Sequence, residues 1–548
     1  MSNPTRQGTL GLLSFLVLAA LGARPASAQE ILPELARVGP WPVASRLIGY
    51  GDRLWLASSV KGVNHNSAEL YSYDPRHGDL RYERHLFSQD AGQPLVFGGL
   101  LYWPFEDSRF SLGWGHFMVT DGVRWRLGTI PTARIFHVHA LAALDGRLVA
   151  ATSAWRAGLQ ASPDGSLHWQ ELYDHPTAER RVSRLTELFA LPGMLVGSLR
   201  EPAGRRLVVF DGAGLRDLPG WPKGRPVLGL TAHEDILYGL VEEEEGVALW
   251  RSDGATSVRL SAPRASWRPR GLAVGADGFW SASAEAAGGL VWHSAEGRDW
   301  RVRHRLAGGA PREIALYGGR LYVAGAGDDG RGILWGPAPP APREPTVGPA
   351  AAMTALDLLG QTISDQTDWT ALGDALDRAL EDPASYEGGG RAAIRDLVYR
   401  AVLAGPPAGF FTARLARRFP ERELSLIGGA ASPSAAELGR WILLWGMALA
   451  RRGFVPPELI AAPWRRPPNR AEKYFGVAPA AIWAAAEIGQ DDRATIAALI
   501  GRLGRAGDPE WLTGDAVGAL TTLTGRRFGF DQSAWRAWWA AEQENWPE

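Results

Sequence analysis

Two residue types in this chain are spaced in ways that could do chemistry. All 11 histidines lie between His65 and His304. His137 and His139 are separated by one residue, which on a strand puts both imidazoles on one face. Such a pair can hold a metal ion, or can line a polar mouth as hydrogen-bonded rings. The sequence shows no carboxylate at ligand spacing to the pair, so the hydrogen-bonded mouth is the favoured reading and neither a metal nor another cofactor is expected. Arginine is the second type. Arg46, Arg184, Arg268, Arg270 and Arg312 recur at matched positions of a repeat described below. Converging guanidiniums suit a carboxylate or phosphate partner. The alternative is a solvated rim whose arginines pair with Glu187 and Glu313. Asp90, Glu106 and Asp107 are candidate rim carboxylates, and with a histidine they could serve a hydrolase or lyase acting on an acidic glycan. No Walker motif, nucleophile elbow, H-E-x-x-H or EF-hand loop is present.

The element that must position these residues is a short phrase repeated seven times. Gly51-Asp52-Arg53-Leu54-Trp55, Asp145-Gly146-Arg147-Leu148-Val149 and Gly318-Gly319-Arg320-Leu321-Tyr322 are three of its copies. The copies align on Leu54, Leu101, Leu148, Leu195, Leu237, Phe279 and Leu321, spaced by 47 residues three times and then by 42 three times. A turn followed by an apolar strand at this period predicts a seven-bladed β-propeller. Eleven positions before the aligned residues stand His137, Arg184 and Arg268. Nine positions before them stand His139, Arg270 and Arg312, with Arg46 adjacent to its own register. Inner strands begin there, so these residues are placed at the propeller mouth. His65 and His116 are assigned to loops on the same rim. After Trp335 the run Pro337–Pro342 cannot donate to a ladder. Residues 30–38 are therefore expected to close the last blade and remove its free edge.

A second motif recurs between the third and fourth strands. It reads Thr120-Asp121-Gly122-Val123-Arg124-Trp125, Ser162-Pro163-Asp164-Gly165, Asp211-Gly212, Ser252-Asp253-Gly254 and Ser294-Ala295-Glu296-Gly297-Arg298-Asp299-Trp300. These turns resemble degenerate Asp-box (BNR-like) hairpins, a device of sialidase-like and many non-enzymatic propellers. Locally, the acidic side chain accepts backbone N–H bonds and glycine takes the φ > 0 position. The resemblance covers about residues 30–336 and implies a folding device rather than a catalytic one. The arginine triad and Arg-Ile-Pro start of sialidases have no counterpart here.

From about Thr346 the texture changes to Ala, Leu and Arg at helical spacing, as in Leu372, Leu376 and Leu380. Breaks are expected at Gly388–Gly390, Gly405–Pro407, Pro456-Pro457 and Pro467-Pro468. Asp491, Asp508 and Asp531 are expected helix starts. The tail, ending Trp535-Arg536-Ala537-Trp538-Trp539, resembles that of HEAT-like helical repeat proteins, with the tryptophans read as core knobs. The expected fold class is thus multidomain, β then α. A signal peptide is assigned to 1–28, the propeller to 29–336, a Pro-rich linker to 337–348 and a HEAT-like all-α domain to 349–548.

Composition bounds the rest. The 58 basic and 59 acidic side chains produce no global field for nucleic acid or anionic membrane. There is no cysteine, hence no disulfide or thiolate site. Leu10–Ala23 with Ala26-Ser27-Ala28 reads as a cleavable export signal, so a periplasmic or extracellular location is expected. No later segment reads as a membrane span. The functional expectation is an exported, non-enzymatic binding or scaffold protein. Its partner is a protein or an anionic small molecule or glycan. A glycan-active hydrolase or lyase at the Arg/His-rich mouth is the alternative.

Overall fold

The computed structural model describes residues 30–59, 68–106, 114–132, 135–165, 168–176, 182–285, 288–339, 367–381, 389–417, 435–464 and 476–548. The expected signal peptide, His65, Asp107 and most of the Pro-rich linker lie outside them. Seven sheets follow one another around a ring and form a seven-bladed β-propeller; five are built from consecutive antiparallel strands alone, and the last two each take a further strand from the N-terminal segment. Each aligned hydrophobe is the second residue of a second strand: Arg53–Ser59, Leu100–Pro104, Arg147–Ser153, Met194–Glu201, Ile236–Glu243, Gly278–Glu285 and Arg320–Ala326. All seven side chains are buried. The period therefore marks one structural position, where the strand leaves its tight hairpin and enters the inter-blade core. The hairpins have the twist this requires. Asp145 and Gly146, for example, have φ of 49° and 72°, the signature of a type I′ turn.

The N-terminal segment divides between two blades. Glu34–Val38 pairs antiparallel with Gly332–Trp335 and forms the outermost strand of blade 7. Glu30–Leu32 instead pairs parallel with His304–Leu306 as a fifth strand of blade 6. Residues 30–38 were expected to act as one strand of blade 7. Pro33, which has no N–H to donate, stands between the two short strands where the chain steps from one sheet to the next.

Around the axis, the first strands of six blades carry a register shift, at Ser45/Ile48, Val138/Ala140, Leu185/Leu188, Val227/Gly229, Arg270/Ala273 and Pro311/Glu313. Bulges turn the inner strands where they crowd together. The crowding is severe enough that a Cβ on Gly229 would sit 2.7 Å from the carbonyl carbon of Gly271 in the next blade. Across the axis, the Gln93 amide of blade 2 accepts from Leu188 N at 3.1 Å and donates to Leu188 O at 3.0 Å, reaching blade 4 past the small Ala140.

Nine helices follow among the described residues, from Trp369–Glu381 to Gln532–Glu542. Asp531 caps the last by accepting from Ala534 N. Asp492, not Asp491, caps Arg493–Arg502. Asp508 does not start the next helix, which begins at Glu510 after Pro509. Its carboxylate is taken by the fully buried Arg502 at 3.0 Å. Gly389 and Gly390 lie inside the helix Gly389–Leu403 rather than between helices. Trp535 and Trp539 are buried; Trp538 packs against both with ring centroids 5.8 Å away, and Trp546 lies 6.2 Å from Trp539.

The helices dock on the outermost strand of blade 1, Asp79–Leu86, which is buried from Tyr82 onward. Tyr82 meets Phe530, Phe87 meets Trp483, and Trp114 of blade 2 meets Trp445. Propeller and helices share one hydrophobic cluster. Gly518 permits the approach, since a Cβ there would lie 2.3 Å from that of His85.

Candidate functional site

The mouth of the propeller is built by the starts of the first strands. His137 opens the first strand of blade 3, His137–Leu144, and Arg184 opens that of blade 4, Arg184–Leu191. The structure brings His137, His139 and Arg184 together around Glu106, which ends the described part of blade 2's upper edge. One Glu106 carboxylate oxygen lies 3.6 Å from Arg184 Nη1 and 4.0 Å from Nδ1 of each histidine. The two imidazoles stack, with centroids 5.2 Å apart. His137 Nδ1–H donates to the Glu106 carbonyl, and Arg184 Nη2 donates to His137 Nε2 at 3.4 Å. That pattern requires the neutral ring. His139 Nε2 bonds to the Ser153 hydroxyl at 2.8 Å.

Electrostatics agree with the hydrogen bonds. Burial, together with the nearby Arg184 guanidinium, lowers the His137 pKa to about 4. Burial, His137, Arg184 and Arg46 hold His139 well below the ordinary histidine range. Neither ring is poised as an acid or base near neutral pH. Among the described residues, no three His, Asp or Glu side chains are grouped to hold a metal ion.

Arg46 belongs to the edge of this cluster. It has φ of 61° in the blade 1 bulge, and its Nε donates to Ala91 O at 3.2 Å. The bulge is held by Glu313 of blade 7, whose carboxylate accepts from Arg46 N at 2.7 Å and Leu47 N at 2.9 Å. Glu187 pairs with Arg205 of its own blade. Both glutamates are thus taken by other partners and neutralise none of the predicted rim arginines. Arg268, Arg270 and Arg312 lie apart from the histidines, at the starts of blades 6 and 7, and all three are exposed. Arg268 donates to the Trp267 carbonyl at 3.0 Å. None of the three has a carboxylate partner among the described residues.

His116 is not on the rim. It lies in the third strand of blade 2, Gly115–Thr120, fully buried without a hydrogen-bond partner, and burial lowers its pKa to about 3. The third strand of blade 2 begins at Gly115, so His116 falls inside that strand and not in the loop that leaves Pro104.

Sequence reasoning missed an apolar side to the same rim. Phe136, Trp155 and Val182 are 37%, 62% and 36% exposed. Phe136 N donates to Ser153 O, and Ser183 N donates to Trp155 O, so backbone bonds gather the three loop segments over blade 3 beside His137. The signal available was position alone: Trp155 occupies the loop after the second strand, the type of loop that lines this face.

No family model matches the chain, and no curated protein matches it by sequence. Among solved structures, the computationally designed Ika8 protein is similar at 14% identity, over 57% of this chain and 100% of that one, with a TM-score of 0.37. The WD40 domain of Neurospora crassa Pan2 is similar at 10% identity, over 54% and 89%, with a TM-score of 0.39. YCF48 from Cyanidioschyzon merolae is similar at 11% identity, over 54% and 97%, with a TM-score of 0.38. At these values the likeness carries no functional argument, and the sheet order itself carries the fold.

Proposed function

We propose that this is an exported, non-catalytic binding or scaffold protein whose propeller mouth receives a protein partner bearing an acidic group. One observation carries the reading. The rim presents exposed Trp155, Phe136 and Val182 on one side and exposed, carboxylate-free Arg268, Arg270 and Arg312 on the other. Interface anchors are enriched in Trp and Arg, and contiguous exposed apolar groups mark interaction sites. The neutral, buried histidines support a lining role over a catalytic one. The Asp, Ser and Thr side chains that hold the outer hairpins favour a place among Asp-box propellers, and the paired helices favour a HEAT-like scaffold. Export rests on the sequence of residues 1–28, and among the described residues no helix is long and apolar enough to cross a membrane.

A photo-crosslinking residue at position 155 tests this in the native cell envelope. Val123 is 80% exposed on the opposite face and is the control. A discrete adduct at 155, absent at 123 and lost on combining Arg268→Ala, Arg270→Ala and Arg312→Ala, is expected. Equal adducts at both positions, or none at 155, reject the mouth as the binding face.

A further inference from the structure

Blade 6 carries a polar cavity on the face away from the mouth, independent of the reading above. It has a volume of about 420 Å³ and lies at the hairpin between the third strand, Gly288–Ser294, and the fourth, Arg301–Leu306. Arg298, Arg301 and Arg303 line it with Ser294 and His293. All three arginines are exposed, and among the described residues none has a hydrogen-bond or ion-pair partner. Most other charged side chains on this propeller's outer strands are paired, as Arg206 is with Asp217 and Arg259 with Glu243.

Ser294 supplies an independent observation. Its counterparts in the other hairpins are satisfied locally. Thr120 Oγ1 accepts from Gly122 N at 2.9 Å, Ser162 Oγ from Gly165 N at 3.0 Å and Ser252 Oγ from Gly254 N at 3.1 Å. Ser294 is 2% exposed and its hydroxyl has no partner. A buried hydroxyl left unpaired is costly unless something bonds to it.

We propose that this cavity binds a phosphomonoester. Three guanidiniums and a hydroxyl offer more donors than the two oxygens of one carboxylate can take, whereas a tetrahedral phosphate dianion presents three acceptor oxygens. Glu296 and Asp299 also line the cavity. Three cations against two anions leave an excess of only one, which does not suit a long polyanion. The volume leaves room for a substituent on the phosphate.

Titration calorimetry on the full chain, at constant ionic strength, tests the site with inorganic phosphate, O-phosphoserine and succinate. Saturable one-to-one binding of the two phosphates is expected. Combining Arg298→Ala, Arg301→Ala and Arg303→Ala weakens it at least tenfold, and Ser294→Ala weakens it about threefold. Because the arginines are exposed, their removal leaves the melting midpoint unchanged. The mouth variant Arg268→Ala/Arg270→Ala/Arg312→Ala binds like the parent, which separates this site from the other. Absence of saturable phosphate binding, or its retention in the blade 6 triple variant, overturns the site. Succinate binding as tightly as phosphate overturns the phosphate assignment.

Discussion

The mouth and the seam between propeller and helices are both organised around buried histidine, yet they hold it in opposite states. At the mouth, Arg184 stands beside His137 and His139, so burial and a neighbouring cation act together and the rings stay neutral. At the seam, His85 lies between Glu69 at 2.9 Å and Asp515 at 2.8 Å. Burial opposes its charge, but the two carboxylates outweigh burial and its pKa is raised. Around it, Glu69 also accepts from Tyr82 Oη at 2.8 Å and Trp41 Nε1 at 3.3 Å. Arg84 pairs with Glu487 at 2.9 Å, with Arg451 on the other Glu487 oxygen and Arg527 on Glu83. Buried histidines can thus hold opposite charge, and at these two places the sign of the neighbouring groups decides which. The seam is charged and glued shut, whereas the mouth is neutral inside and cationic outside.

The largest break in this contrast comes from the seam. Glu69→Ala removes the acceptor shared by His85, Tyr82 and Trp41 and takes the buried Tyr82 hydroxyl and Trp41 indole from their carboxylate. A buried donor left unsatisfied costs about 1–3 kcal/mol, and both lose their acceptor here. Denaturant unfolding is expected to show that loss, with limited proteolysis releasing the helical region from the propeller. Wild-type resistance to both treatments would mean that the apolar contacts of Phe87, Trp114 and Tyr82 hold the seam alone.

A pH titration sharpens the contrast further. His85 binds its proton more tightly folded than unfolded. The stability this adds is complete below the ordinary value of 6.5 and is lost as pH rises through the raised folded value. His85→Gln should therefore flatten the alkaline side of the stability curve, by at most about 1.4 kcal/mol per pH unit. His137 has the opposite sign. Its folded value of about 4 means stability is complete above 6.5 and falls as pH drops toward 4. His137→Gln should spare the acid side, by the same limit per pH unit and somewhat less in practice, because the ring is not fully enclosed. Guanidinium unfolding of both variants between pH 4 and 9 checks the two slopes.

The two regions differ just as much in how far the sequence disclosed them. Mouth residues sit at fixed offsets from Leu148, Leu195 and Phe279, so a period read from the chain placed His137, Arg184 and Arg268 on one rim. The repeat could not separate the rim into a buried half around Glu106 and an exposed half around Arg270, because that depends on which bulge turns which side chain. Nor could it show that Glu313 reaches the backbone of blade 1, since a carboxylate's partner in the next blade leaves no mark on its own repeat. The seam had no such ruler. Arg84 and Glu487 are 403 residues apart, and their meeting depends on how an aperiodic helical stack lies against one blade. His85 looked like any other residue of an outer strand until Asp515 was beside it.

The smallest expected effect is the most discriminating for the mouth. Arg268, Arg270 and Arg312 have no carboxylate partners among the described residues, and exposed groups of this kind change stability by within about 0.5 kcal/mol when truncated. The triple alanine variant should therefore unfold with the parent at every pH tested. A loss well beyond that, seen by the same denaturant titration, would show the arginines to be structural. It would remove the argument that they are held free for a partner, and the rim would then resemble the seam, with charges spent on the fold.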